Sequence, residues 1–229
     1  LVFTAFSGSH QDAIKKGFDA MRESNDPKWA VPYLPIDPAD VGRTYEAVIR
    51  INSQSGKGGV AYLLEKDHGL SLPRRLQIDF SNVIQQITDE SGKEIEVDEI
   101  WKEFKKNYVN VGSSLKYIGH NINSDNSPDK DHSDTLNLKL LLNGQEVEVK
   151  GEGNGPIDAC INALSDLLNS SLKISDYHQH AISSGADASA AAYIEIQINE
   201  KAFWGIGISS NTVAASFEAI VSGINKSIG

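Results

Sequence analysis

The segment Gly151-Glu152-Gly153-Asn154-Gly155-Pro156-Ile157-Asp158 sets three glycines against a proline at the head of an apolar-periodic stretch. These residue types at this spacing suit an anion. Glycine lets a ligand approach the backbone, and Pro156 at the first helical position gives up an N–H that has no intrahelical partner. The remaining first-turn amides, with the helix dipole behind them, can hold a carboxylate or phosphate. The same segment also reads as a tight strand-to-helix turn without a ligand.

Four other stretches could carry chemistry or hold a ligand. His178-Gln179-His180 puts two imidazoles on one face of a strand, where two-His metal ligation is chemically possible, but no acidic or Cys ligand of fitting spacing accompanies them. Exposed or satisfied strand histidines are the alternative. Ser53 to Gly59 resembles a phosphate loop superficially and lacks the GxxxxGK[ST] spacing. Ser7-Gly8-Ser9-His10-Gln11-Asp12 places His10 just inside a helix start, where the dipole favours the neutral ring that a general base needs; on spacing alone a capping cluster with an incidental His is the reading favoured over it. Ser184 to Ala192 is small and flexible, and suits either a methyl-lined pocket or a close-packed connection.

The elements that must position these residues fall in two parts. In the first, Ser9 caps a helix with Ala13, Gly17, Ala20 and Met21 along one face. Pro27, Pro32, Pro35 and Pro38 then keep Trp29 to Asp37 out of helix. Thr44 to Asn52 alternates as a strand, and Gly56 to Gly59 turns the chain into the apolar run Val60 to Leu64. Helices are expected over Pro73 to Ile87 and Val97 to Tyr108, the second carrying Ile100, Trp101 and Phe104. Between Asn107 and Thr135 the periodicity stops and polar residues collect, which reads as a linker or mobile loop.

The second part repeats itself. Strands Leu136 to Leu140 and Glu146 to Val149 flank the hairpin pair Asn143-Gly144 and lead through Gly151 and Gly153 into a helix from Pro156 to Leu168. Strands Tyr193 to Ile198 and Phe203 to Ile206 flank Asn199-Glu200 and lead through Gly205 and Gly207 into a helix from Thr212 to Ile228. The two helices end alike, Ala163 to Asn169 against Ala219 to Asn225. A strand-rich bridge, Leu172 to Ile182, joins the copies. Each sheet has one face covered by its helix, so the other is expected to pack on the repeat partner or on a second subunit, which favours a homodimer.

The expected fold class is therefore α/β (α+β): a small α/β linker subdomain followed by a domain of two pseudo-repeated βββα-type units. The expected divisions are a helical linker subdomain over 1–28, an α/β linker subdomain over 29–106, a flexible connector over 107–133 and a ligand-binding domain over 134–229. With 40% hydrophobic and 23% charged residues, the composition is that of a soluble globular protein. A net charge of −10 with no Lys/Arg run argues against nucleic acid and anionic membranes. The single Cys160 allows no internal disulfide and suits a reducing cytoplasm. Apolar runs are too short to cross a membrane. A start at Leu1 in an apolar run, without Met, reads as a piece of a longer chain.

Phe6 to Ile14, Val31 to Pro38, Val41 to Arg50 and Asn52 to Gly59 closely resemble the 2-isopropylmalate synthase family, and the second part resembles that family's leucine-sensing domain through its Gly-x-Gly-Asn-Gly-Pro turn and Ala-rich segment. The resemblance implies an acyltransferase that condenses acetyl-CoA with 3-methyl-2-oxobutanoate. Its (β/α)₈ barrel, with a divalent metal, lies outside this chain, since a barrel needs about 250 residues, so the chain alone is expected to be inert and to hold no metal or cofactor. The resemblance also implies catalytic contributions from His10, which reaches the active site from the partner subunit, and from Tyr33. It maps the leucine site onto Gly153, Asn154, Gly155, Pro156, Ile157 and Asp158, with Ile174, Tyr177, Ala181, Ala188 and Ala190 around the side chain. Two alternatives stand beside it: the regulatory region of (R)-citramalate synthase, sensing isoleucine, and a free-standing amino-acid sensor.

Overall fold

A computed structural model describes residues 8–24, 28–43, 57–92, 95–109, 111–112, 114–125, 133–183, 185 and 188–228. The chain divides into two compact units, Leu1–Glu103 and Phe104–Gly229. The first unit is helical where described: α1 (Gly8–Ser24), a 3₁₀ turn (Pro38–Val41), α2 (Lys57–His68), α3 (Arg74–Ser91) and most of α4 (Val97–Tyr108).

In α1 the buried face is centred on Ile14 and Phe18, and Ala20 is exposed, so the face expected from Ala13, Gly17, Ala20 and Met21 lies about one residue out of phase. The larger apolar side chains, not the small ones, decide which stripe turns inward. Phe18 packs its ring against Trp29 and Tyr62, and Trp29 Nε1 donates to the Leu34 carbonyl at 2.7 Å. Gly58 and Gly59 lie in the first turn of α2, the apolar run Val60 to Leu64 is helical, and the missing side chain at Gly58 lets the backbone of Asp12 on α1 come close; Gly56 lies outside the described residues. The non-helical passage Trp29 to Asp37 and the helices at Arg74–Ser91 and Val97–Tyr108 follow the sequence expectation, with Trp101 stacked on His68 at 4.1 Å. The expected strand over Thr44 to Asn52 and the side chain of Ser9 lie outside the described residues.

The second unit is two copies of one motif. Strands β1 (Leu115–Asp125), β2 (Ser133–Leu142) and β3 (Gln145–Gly153) form an antiparallel sheet followed by α5 (Pro156–Leu168). Strands β4 (Leu172–Ala181), β5 (Ala190–Ile198) and β6 (Lys201–Ser209) form a second such sheet followed by α6 (Thr212–Ile228). A constant shift of 56 positions superposes the copies in sequence: Asn143 falls on Asn199, Gly151 on Gly207, Pro156 on Thr212 and Asn169 on Asn225. Both hairpins turn through two residues of positive φ, Asn143-Gly144 and Asn199-Glu200, the conformation whose twist matches that of the flanking strands.

The expected connector therefore needs correction. Residues 115–125 within it are β1, the counterpart of β4. A bulge between Tyr117 and Gly119 breaks the two-residue alternation, so that Tyr117, His120 and Ile122 all sit opposite the buried Leu140, Leu138 and Leu136 of β2. A strand whose inward residues are spaced unevenly and include a Tyr and a His gives no periodic signal.

Helix α5 packs on β2 and β3, α6 on β5 and β6, and each also reaches the first strand of the other sheet, α5 to β4 and α6 to β1. One hydrophobic cluster holds residues of both sheets and both helices, among them Leu138, Leu164, Ile194 and Phe217. Of the two covers expected for the second sheet face, the repeat partner or a second subunit, the shared core supplies the first within the chain. β5 is buried on both faces, whereas the outer face of the first sheet carries Lys139, Glu146, Glu148 and Lys150 and is polar.

Candidate functional site

The two helix starts of the second unit are built alike and finished differently. At α6, Asn211 caps the helix: its Oδ1 accepts the N–H groups of Val213 and Ala214, both at 2.9 Å. The 56-position shift places Gly155 where Asn211 stands, and Ile157 and Asp158 where Val213 and Ala214 stand. Gly155 has no side chain, its backbone is extended, and α5 has no side-chain cap on that residue. The amides of Ile157 and Asp158 thus lack the acceptor that Asn211 supplies in the other copy, and Pro156 between them and the turn has no N–H at all.

Not every amide of the turn is available. Asp158 Oδ2 accepts the Asn154 N–H at 2.9 Å, so the expectation that the whole Asn154 to Asp158 backbone is open to a ligand is corrected at Asn154. Asp158 thus ties the turn to the helix start through one carboxylate oxygen, and the residue is exposed.

Asn154, Gly155, Pro156, Ile157, Asp158 and Ile174 line a single open cleft of about 740 Å³. Ile161, Asn162, Leu172 and Lys173 complete it, and sequence reading missed all four. Ile161 was marked by its four-residue spacing from Ile157 on one helix face, and Lys173 by its place beside Ile174. Asn162 Nδ2 donates to the Glu152 carbonyl at 2.8 Å and holds the end of β3 against α5. In the other copy the shift puts Phe217 at the place of Ile161 and Tyr117 at that of Lys173. Those two rings meet at 6.1 Å, and His120 closes on Phe217 edge-on at 5.0 Å. Aromatic side chains thus meet in one copy where the other has an isoleucine and a lysine lining a cleft.

Gly153 is not a lining residue. A Cβ there would lie 2.5 Å from the Ala159 nitrogen, so its glycine serves strand-to-helix packing. Nor do Tyr177, Ala181, Ala188 and Ala190 reach this cleft within one chain. Tyr177 is 40% exposed, with its hydroxyl 3.2 Å from Ser216 Oγ on α6, and the neighbouring Gln179 donates to the Thr212 carbonyl at 2.8 Å. Ala181 pairs with Ala190 across β4 and β5, and the Ala188 amide bonds the Gly185 carbonyl. The expected wall therefore gathers at the start of α6 and not at that of α5. One continuous pocket was expected because the sequence does not show which helix start each strand residue faces.

The two candidate catalytic residues are brought together. His10 lies in the first turn of α1 and is exposed; its ring meets that of Tyr33 in a tilted contact, with centroids 4.1 Å apart and planes at 33°. Tyr33 is 60% exposed and adopts a φ of 64°, a conformation that a tyrosine takes at a cost. Gly17 on the same face of α1 lets Pro32 approach closer than any side chain would permit, which carries Tyr33 to His10.

His178 Nε2 is 3.0 Å from Asp176 Oδ1, and His180 Nε2 is 2.9 Å from the Tyr193 hydroxyl. Among the described residues no three His, Cys, Asp or Glu side chains group to hold a metal ion. Cys160 is fully buried, and burial pushes its thiol far above the ordinary range. No described helix is long and apolar enough to cross a membrane.

In class, the second unit is a duplicated α/β domain that leaves one of its two helix starts uncapped over a cleft. The chain belongs to the family of the LeuA allosteric (dimerisation) domain, which matches residues 94–228. Residues 1–65 match the family described as alpha-isopropylmalate synthase, post-catalytic domain-like. Among its relatives is the 2-isopropylmalate synthase of Parafrankia sp. (strain EAN1pec), 50% identical over 230 residues that cover 99% of this chain and 40% of that protein. The 2-isopropylmalate synthase of Brucella suis biovar 1 is 49% identical over 229 residues, all of this chain and 41% of that protein. That of Cupriavidus taiwanensis is 50% identical over 227 residues, 99% of this chain and 38% of that protein. The chain thus spans about 40% of the length of the curated relatives it matches.

Proposed function

We propose that this chain is the accessory and leucine-sensing region of a 2-isopropylmalate synthase, a cytoplasmic homodimeric acyltransferase that joins acetyl-CoA to 3-methyl-2-oxobutanoate. The chemistry, with its divalent metal, belongs to a barrel outside this chain, and the chain by itself is inert. The observation that carries the reading is the uncapped start of α5 beside the Asn211-capped start of α6. A leucine carboxylate takes the place of the missing cap oxygen on the Ile157 and Asp158 amides, its ammonium meets the other carboxylate oxygen of Asp158, and its isobutyl group lies on Ile161, Leu172 and Ile174. Burying that group contributes roughly 1.5–3 kcal/mol. The exposed Tyr177, with Ala181, Ala188 and Ala190, sits at the other helix start; a second chain related by a two-fold axis brings this surface over the cleft and completes the pocket.

Calorimetric titration with leucine, isoleucine and valine tests the reading. Leucine is expected to bind most tightly; a preference for isoleucine would instead favour (R)-citramalate synthase. Gly155→Asn restores the cap of the other copy, so it is expected to raise the unfolding free energy by a few tenths of a kcal/mol and to weaken leucine binding about 100-fold, the loss of one or two charge-assisted hydrogen bonds. Leucine affinity unchanged in Gly155→Asn would place the effector elsewhere.

His10 and Tyr33 serve the full-length enzyme. The exposed imidazole acts with water in deprotonating the acetyl methyl or in hydrolysing the thioester, and the phenol orients the substrate or transmits inhibition. His10→Ala in the full-length enzyme is expected to lower kcat about 100-fold, the usual scale of general acid–base catalysis, with leucine affinity retained. Unchanged turnover defeats the assignment.

A further inference from the structure

A second cavity, of about 450 Å³, opens on the other copy of the repeat, between the segment Val111-Gly112, the start of β1 and the middle of α6. Its lining holds one cation, Lys116, and one carboxylate, Glu218, together with the phenol of Tyr117 and the apolar side chains of Leu141 and Val221. The 56-position shift puts Lys116, Tyr117 and Glu218 on Leu172, Lys173 and Asn162, which line the cleft at α5. The cavity shares those three repeat positions with the cleft but lies along the middle of α6 and not at its start, and Tyr117, whose ring meets that of Phe217, is one of its walls.

Its charges are not spent inside the protein. Neither Lys116 nor Glu218 forms an ion pair among the described residues, and the pKa of the neighbouring Tyr117 is raised by burial and, next, by the charge of Glu218. Glu218 is partly buried, and loss of hydration raises its pKa, with the Ile208 hydrogen bond opposing. A ligand cation in the cavity returns the stabilisation that burial removes from the carboxylate. The volume suits a small molecule of a few carbon atoms more than a nucleotide.

We propose that this cavity is a second ligand site, for a small aliphatic zwitterion: an α-amino acid whose ammonium meets Glu218, whose carboxylate meets Lys116 and whose side chain lies on Leu141 and Val221. One wall is the segment through which the chain enters the unit, with Gly112 at φ 71° against Asn225, so an occupied site bears on that segment directly. The site does not depend on leucine binding at α5.

The test is a calorimetric titration of the whole chain with L-leucine, 4-methylpentanoate, which lacks the ammonium, and 3-methylbutylamine, which lacks the carboxylate. Wild type is expected to bind two molecules of leucine per chain. Gly155→Asn is expected to keep one, and adding Glu218→Gln to weaken that one at least tenfold, as each truncated ligand does. Lys116→Met, at an exposed position, gives the same loss should Glu218→Gln disturb folding. One leucine per chain in wild type, removed by Gly155→Asn, overturns the second site and leaves the first standing. Two per chain with neither lost in Gly155→Asn overturns the α5 assignment instead, and binding indifferent to Glu218→Gln and Lys116→Met overturns the proposal outright.

Discussion

Gly207→Ala is expected to destabilise the second unit by about 3 kcal/mol or more, the upper range for overpacking a core, and to lower its thermal midpoint by roughly 10 °C. A Cβ at Gly207 would lie 2.0 Å from the Ala215 carbonyl oxygen and 2.8 Å from the Ala219 nitrogen, so it meets helix backbone that cannot rotate away. Gly151, its counterpart one repeat earlier, stands 2.0 Å from the Ala159 carbonyl oxygen by the same measure, and Gly151→Ala is expected to cost as much. Strand and helix approach so closely in both copies that only hydrogen fits between them. Gly155→Ala is the control, because a Cβ there has nothing within 4 Å and the residue is extended; its midpoint is expected to stay within a degree or two of wild type. Equal midpoints for Gly207→Ala and Gly155→Ala, read by thermal unfolding, would contradict the close-packing account.

That pair of substitutions also separates what the sequence made legible from what it did not. Read along the chain, Gly151, Gly153 and Gly155 look like one anion-binding loop. In the structure they divide: Gly151 and Gly153 are packing glycines, and Gly155 alone lines the cleft, at the place where the other copy has a capping Asn. A glycine's sequence position says that a side chain is absent; only the neighbouring atoms say what occupies the space. The helices of the second unit were legible to the residue, Pro156–Leu168 and Thr212–Ile228, because Pro156 opens the first, Asn211-Thr212 the second, and a long apolar periodicity runs through each. The hairpin turns were legible from Asn143-Gly144. Strand β1 was not, since its bulge and its inward His120 erase the alternation that betrays β2. The constant shift between copies was the signal that would have recovered it: once β4 was read, a strand 56 positions earlier was required.

The site was half legible. The α5 start could be named because its chemistry lies in consecutive residues. Tyr177 and the alanines were grouped with it, yet they gather at the α6 start, a separation set by sheet pairing that no local pattern encodes. His10 and Tyr33 stand at the opposite extreme, 23 positions apart in sequence and in ring contact through the Gly17 to Pro32 approach.

Asn225→Leu is expected to cost about 4 kcal/mol, since two buried peptide groups lose their partners at roughly 1–3 kcal/mol each. Asn225 sits inside α6, almost fully buried, and grips one residue of the incoming chain from both sides: Oδ1 accepts the Leu115 N–H at 3.0 Å and Nδ2 donates to the Leu115 carbonyl at 2.7 Å. One turn earlier Ser222 does the same for the preceding residues, donating to the Tyr108 carbonyl at 2.7 Å and accepting the Val111 N–H at 3.1 Å. In the other copy the counterpart Asn169 ends its helix at positive φ, so the same residue type closes a helix in one repeat and binds a neighbouring strand in the next. Leucine has the same branched four-atom side-chain skeleton as asparagine and leaves no cavity, so the loss measures hydrogen bonding together with the extra bulk of two methyl groups. Asn225→Asp sets a buried carboxylate against the Leu115 carbonyl, so at neutral pH its cost is expected to be no smaller than that of Asn225→Leu. Because the covalent path out of the unit runs through Tyr108 to Leu115, loosening it should appear locally before the whole unit unfolds. Amide exchange at Val111 and Leu115 is expected to quicken in Ser222→Ala, while exchange in β5 stays slow. Uniform quickening across the unit would mean that α6 and the entering segment are not held by these two side chains.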